Sequence, residues 1–149
     1  MSLEKEITQQ QFRSKSQKGL INILFTYNYL IGKMNDFFKT HQITRQQYNV
    51  LRILRGSYPK PLNINIIKER MLDKMSDASR IVERLRIKEL IDRCQSSQDR
   101  RAVEIKISDK GLALLSHTDS YVTHFDDLFS SLNDDELDQL NHLLDKIRS

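Results

Sequence analysis

Glycine is scarce in this chain. Only four occur among 149 residues, and none belongs to a phosphate-cradling loop, so a nucleotide-processing enzyme is not expected. Cysteine is scarcer still. Cys94 stands alone, which excludes an internal disulfide, suits a reducing cytoplasm and offers no thiol with a recognisable catalytic partner set. The four histidines, His41, His117, His124 and His142, fall in no His-Glu-x-x-His or Cys-x-x-Cys pattern. No catalytic residue, metal or cofactor is therefore expected. His117 and His124 do share a helix face, with Asp119 and Asp126 nearby, and a metal-responsive site there is kept as a lesser alternative. No apolar run approaches the roughly 20 residues needed to cross a bilayer, and the N-terminus lacks the apolar core of a secretory signal. The expectation is a soluble, cytoplasmic, non-enzymatic protein with no membrane partner.

What is present is charge, unevenly spread. Residues 1–59 hold nine Lys and Arg against three Asp and Glu, residues 60–110 thirteen against nine, and residues 111–149 two against eight. The basic start and acidic end offset each other. The net charge of +4 then resides in the middle segment, where an exposed positive field would attract phosphates. The length suits one domain spanning 1–149 with a core that needs no staples.

Apolar periodicity divides the chain into helices and a hairpin. Leu20, Ile23, Leu24, Tyr27, Leu30, Ile31, Met34, Phe37 and Phe38 form one stripe on a helix over 14–40. Thr44 is a candidate N-cap for a second helix carrying Tyr48, Leu51 and Leu54, ended by Gly56 and the Pro59/Pro61 pair. A short extended piece around Leu62 leads to Asn63 as cap of a third helix with Ile67 and Met71. A fourth helix begins near Ser76, with Asp77 at its positive end; Ala78, Ile81, Val82, Leu85 and Ile87 face inward, and Ser79, Arg80, Glu83 and Arg84 outward. From Leu90 to Cys94 and from Ala102 to Ile107 the pattern turns to strand, and the loop between, Gln95 to Arg101, is long enough to project. Ser108 caps a long helix carrying Leu112, Leu115, Val122, Phe125 and Phe129. Asn133 and Glu136 form the start of a last helix.

The order helix, turn, helix, hairpin is that of a winged helix-turn-helix. The fold class expected is mainly α with a small β-wing, a lobe over 44–107 flanked by N- and C-terminal dimerisation helices over 14–40 and 109–148. Phe12, Leu20, Phe125, Leu137, Leu140, Leu144 and Ile147 are the expected interface of a homodimer, because the terminal helices carry more apolar surface than the lobe can cover. The expected DNA-binding residues are Lys74, Ser76, Asp77, Ser79, Arg80 and Arg84 on the recognition helix over 76–88, and Asp99, Arg100 and Arg101 at the hairpin tip. Arg80 or Arg84 can hold a guanine bidentately, while Arg100 and Arg101 suit a narrow minor groove. Asp77 either accepts from a cytosine amino group or caps the helix. Asp99 would hold one tip arginine, or Arg93, in a fixed direction.

The runs LDKMSDASRIVERL (72–85), ELIDR (89–93) and DRRAVEIKISDKG (99–111) resemble the MarR family of bacterial transcriptional regulators. The resemblance implies an obligate homodimer with intertwined terminal helices on a pseudo-palindromic double-stranded DNA operator, often a repressor released by a small-molecule effector. The wing-tip Asp-x-Arg of such proteins matches Asp99 and Arg101, the arginine entering the minor groove. Lys-Met-Ser-Asp stands where many relatives have Ser-Thr-Val, so operator preference does not carry over. A ligand cavity of the kind common in that family makes Tyr27, Phe38 and Tyr48 candidate lining, against their plainer role as core. Cys94, expected to be a buried inert thiol, is also weighed as a redox sensor because Arg93 adjoins it. The thiol-sensing branch of the family carries its cysteine in the first helix instead. From another class, a winged-helix protein-interaction module without DNA binding remains the alternative.

Overall fold

The computed structural model describes residues 2–96 and 102–149. The chain divides into two compact units, 1–44 and 45–149.

The first unit holds a short helix α1 (Leu3–Glu6) and the long helix α2 (Lys15–Thr40). Ser14 caps α2 by accepting from the Gln17 amide, because its hydroxyl satisfies an N–H that the helix start leaves without a carbonyl. Phe38 is the single buried residue of α2, so its apolar stripe, Leu20 at 60% exposure included, lies largely open. The helix ends where Gln42 takes a left-handed φ of 55°. The Gln42 amide then donates to the Lys39 carbonyl and the Ile43 amide to the Phe38 carbonyl, the two bonds of a Schellman cap.

The second unit is built around α3 (Arg45–Ser57), α4 (Ile64–Arg70) and α5 (Ala78–Ile87), with β1 (Leu62–Asn63), β2 (Ile91–Gln95) and β3 (Val103–Ile107) forming one antiparallel sheet in the order β1–β3–β2. Val50, Leu51 and Leu54 of α3, Ile67 of α4, and Ala78, Val82 and Leu85 of α5 are buried with Leu62, Met71, Ile91, Ile105, Ile107 and Leu115. Each large side chain removed from water here contributes about 1.5–3 kcal/mol. Asn63 caps α4 by accepting from the Ile66 amide. The pairing Leu62↔Ile105 sets two buried residues side by side and joins the strand before the helix-turn-helix to the hairpin. The hairpin register runs from Ile91↔Ile107 to Gln95↔Val103. Ile91 is buried and the rest of β2 is exposed, so the hairpin runs outward beyond the core.

Beyond the hairpin Ser108 caps α6 (Asp109–Val122), a 3-10 segment follows over Thr123–Phe129, and α7 (Asp134–Arg148) opens with a capping box between Asn133 and Glu136. No helix of the described residues is long and apolar enough to cross a membrane.

Several boundaries depart from the sequence expectations. The fourth helix starts at Ala78, not near Ser76, because the Asp77 carboxylate takes the capping position and accepts from the Arg80 amide. Ile87, expected to face inward, is 67% exposed, since it lies on the last turn past the buried Val82 and Leu85. Gly56 falls inside α3 and Met71 just beyond α4. The long helix expected through Phe129 stops at Val122. There the Thr123 hydroxyl donates back to the Ser120 carbonyl at 2.7 Å, which competes with regular helix bonding, and Asp126 and Asp127 would sit against the negative end of the helix dipole.

Candidate nucleic-acid interface

Helix α5 presents two chemically different faces. Ala78, Val82 and Leu85 recur at spacings of three and four and are buried, which turns Ser79, Arg80 and Arg84 outward, all three exposed. Among the described residues neither Arg80 nor Arg84 enters an ion pair. Their neighbours do. Glu83 accepts from Arg86, with Nη2 at 2.7 Å and Nε at 3.2 Å, and from Arg93 Nη2 at 2.7 Å. Hydrogen bonding from Arg86, with the charges of Arg86 and Arg93, holds the Glu83 carboxyl below its usual range. One carboxylate thus engages two arginines and ties the helix to β2, and among the described residues no acidic side chain pairs with Arg80 or Arg84. At the helix end Lys88 donates to Gln47 at 2.9 Å, and burial first, then Arg84, pushes its pKa down.

The turn ahead of α5 is organised by Asp73. Its carboxylate accepts from the Met75 amide at 3.1 Å and from Gln46 Nε2 at 3.4 Å, and faces Arg45 at 3.9 Å. A hydrogen bond from the Ser76 side chain is the largest cause of its lowered pKa. The Ser76 amide also donates to the Asp73 carbonyl at 3.3 Å. Asp77, whose sequence allowed a cap or a cytosine acceptor, is the cap, 3.1 Å from the Arg80 amide. Lys74 is exposed in the same turn, its ammonium donating to the Glu69 carbonyl. Three exposed cationic side chains, Lys74, Arg80 and Arg84, therefore occur across one turn and the first two turns of α5.

Asp99, Arg100 and Arg101 lie outside the described residues. The ladder reaches Gln95↔Val103, and the Ser96 amide donates to the Ala102 carbonyl at 3.0 Å. Among the described residues Arg93 is held by Glu83, on the helix; the expected part of Asp99 lies outside them. Sequence reading missed Glu83 as the tie between helix and hairpin, and Asp73 as the hub of the turn. An Asp preceding a cap by four residues was the available signal.

Other expected residues are distributed as follows. Phe12 is half-buried ahead of α2, with Lys18 Nζ 5.9 Å from its ring centroid. Phe125 is half-buried in the 3-10 segment, Leu137, Leu140 and Leu144 are half-buried along α7, and Ile147 is exposed. Tyr27 and Phe38 belong to the first unit, Tyr27 half exposed and Phe38 buried edge-on to Phe37 at 5.3 Å. Tyr48 belongs to the second, its hydroxyl accepting from Arg52 at 3.2 Å. Cys94 is exposed, contrary to expectation, because only the first residue of β2 reaches the core; its Sγ lies 3.6 Å from the Glu104 carbonyl oxygen. His117 and His124 flank the Tyr121 ring at 5.8 and 6.4 Å. Asp119, one proposed oxygen donor beside them, is instead gripped by Arg55 at 2.8 and 2.9 Å. No cluster of three or more His, Cys, Asp or Glu fit to hold a metal occurs among the described residues.

The family model of the MarR family matches residues 43–103, a span that contains this helix, its turn and most of the hairpin. The HTH-type transcriptional regulator MgrA of Staphylococcus aureus is 33% identical over 117 residues, covering 76% of this chain and 75% of MgrA. Among solved structures, the S. aureus MepR–DNA complex aligns with a TM-score of 0.74 at 23% identity over 92% of this chain and 97% of that one. Bordetella bronchiseptica BpsR, whose DNA binding is regulated by 6-hydroxynicotinic acid, aligns with a TM-score of 0.77 at 19% identity over 94% and 99%. These two structures share the fold.

Proposed function

The chain belongs to the MarR family, and from that premise we propose that it is a sequence-specific DNA-binding transcriptional regulator. It acts as a homodimer on a pseudo-palindromic operator and as a repressor that a small-molecule effector releases. The observation that carries this is the outer face of α5: Arg80 and Arg84 stand exposed and, among the described residues, without ion pairs, while Glu83 engages the arginines beside them. A helix end carrying free guanidinium groups matches the acceptor pair of guanine in the major groove and the phosphates along it. Asp99, Arg100 and Arg101 are assigned to the adjacent minor groove on the sequence pattern alone. DNA binding in MepR and its control by a small molecule in BpsR support the two halves of this assignment. The half-buried and exposed apolar residues Phe12, Leu20, Phe125, Leu137, Leu140, Leu144 and Ile147 are assigned to the dimer interface.

Selection of duplexes from a random pool by the full-length protein tests the core of the proposal. Binding to the selected duplex should weaken steeply with salt through counterion release. Arg80→Ala should lose about 5- to 150-fold in affinity, the range of a bidentate base contact. Equal affinity of Arg80→Ala and wild type for that duplex would sink the recognition-helix assignment, and failure to select any duplex would favour a protein-interaction module.

A further inference from the structure

Met75 is 94% exposed, the highest value for any large apolar side chain among the described residues. Its backbone is nevertheless fixed. The Met75 amide donates to Asp73 Oδ1 and the Ser76 amide to the Asp73 carbonyl at 3.3 Å, and the Asp73 carboxylate is itself braced by Gln46 and Arg45 of α3. Among the described residues the side chain is all but unpacked. The apolar staple that often precedes a helix would require an apolar residue directly before the Asp77 cap, and Ser76 occupies that position. A rigid turn thus holds a flexible thioether in solvent between Lys74 and Arg80, the two cations nearest the start of α5.

We propose that Met75 is a specificity-determining residue that packs on the 5-methyl group of a thymine in the major groove. The inference rests on the DNA-binding role proposed above. The N-terminal end of a recognition helix and the residues before it approach base edges most closely. A methionine has no hydrogen to donate to phosphate, and the thymine methyl is the apolar group that base pairs display in the major groove. The thioether's polarisability and unbranched stem suit a contact of that size. A protein partner is disfavoured because one side chain amid cations falls far short of the apolar patch such a partner needs.

The test uses the full-length protein and a duplex it selects from a random pool. Each thymine is replaced in turn by deoxyuridine, which removes the methyl group and leaves the hydrogen-bonding edge intact. Wild type should show one thymine per half-site whose replacement weakens binding about fourfold, the worth of one buried methyl. Met75→Ala, which removes the contact from both half-sites, should bind the thymine duplex about 16-fold less tightly and be indifferent to the replacement, and Met75→Leu should retain the sensitivity. The proposal is overturned if wild type is sensitive at no thymine, if Met75→Ala keeps the full sensitivity, or if Leu72→Ala abolishes it instead. If no duplex is selected, the DNA-binding reading falls and this one with it. If a duplex is selected but the methyl is unread, only this one falls. Unchanged melting of Met75→Ala confirms that the fold is intact.

Discussion

Gly111 sits where α6 passes over the end of the preceding strand turn, and a Cβ there would lie 2.3 Å from the Leu90 carbonyl oxygen and 2.7 Å from Ile107 Cγ1. Backbone cannot yield as a flexible side chain does. Gly111→Ala should therefore destabilise the protein by about 1–3 kcal/mol or more, read as a lowered midpoint in urea; an unchanged midpoint would contradict this packing. Asp119 governs a different response. Hydrogen bonds from Arg55, then the charges of Arg55 and Arg52, keep its carboxyl below the usual range. The folded protein then holds fewer protons there than the unfolded chain as pH falls toward 4. Its contribution is complete above the unfolded value of about 3.9 and is lost as pH drops through the lowered native value. Asp119→Asn should lower stability at pH 7 by at most about 1 kcal/mol, as for exposed pairs, with the difference from wild type shrinking in acid. Urea titrations at pH 7 and pH 2.5 measure it. Neither residue was legible in this role. Gly111 is an ordinary letter until the close approach is seen, and Arg55 and Asp119 lie 64 positions apart.

Two helices end alike. After α5 the Glu89 residue takes a φ of 61°, its amide donating to the Arg86 carbonyl at 2.9 Å and the Leu90 amide to the Leu85 carbonyl at 3.0 Å, while the buried Leu85 and Leu90 supply the apolar contact of the motif. Glutamate carries a Cβ penalty in this conformation that glycine does not. Glu89→Gly should raise stability by about 1 kcal/mol, checked by thermal melting; a lowered midpoint would mean that the Lys110 contact at 3.2 Å outweighs the strain. Element existence was readable from the sequence because periodicity records which residues must leave water: α2, α3, α4, α5, α7 and both hairpin strands appear close to where expected. What was unreadable depends on competition or distance. Asp77 outcompeted Ser76 for the cap, Thr123 and the acids after it ended α6 early, and the pairing of β1 with β3 joins residues about 40 positions apart, which no local pattern announces.

For the whole molecule, α2 buries only Phe38 and α7 buries no residue, with Leu143 and Ile147 exposed. Apolar faces this open call for a second surface, and the proposed homodimer supplies one. Sedimentation should give twice the mass of 17.6 kDa, and Leu20→Glu or Ile147→Glu should shift it toward monomer; a monomeric wild type at micromolar concentration would remove the dimer. The Leu90 carbonyl has a wider consequence. The Leu90 amide closes the end of α5, its carbonyl accepts the Ser108 amide at 3.1 Å and lies against Gly111, and the Ser108 hydroxyl donates to the Glu89 carbonyl at 2.7 Å. The exit of α5 and the entry of α6 thus mesh like two gears on one pin. A shift at the start of α6 would therefore bear directly on the end of α5, through a backbone hydrogen bond and a close glycine contact.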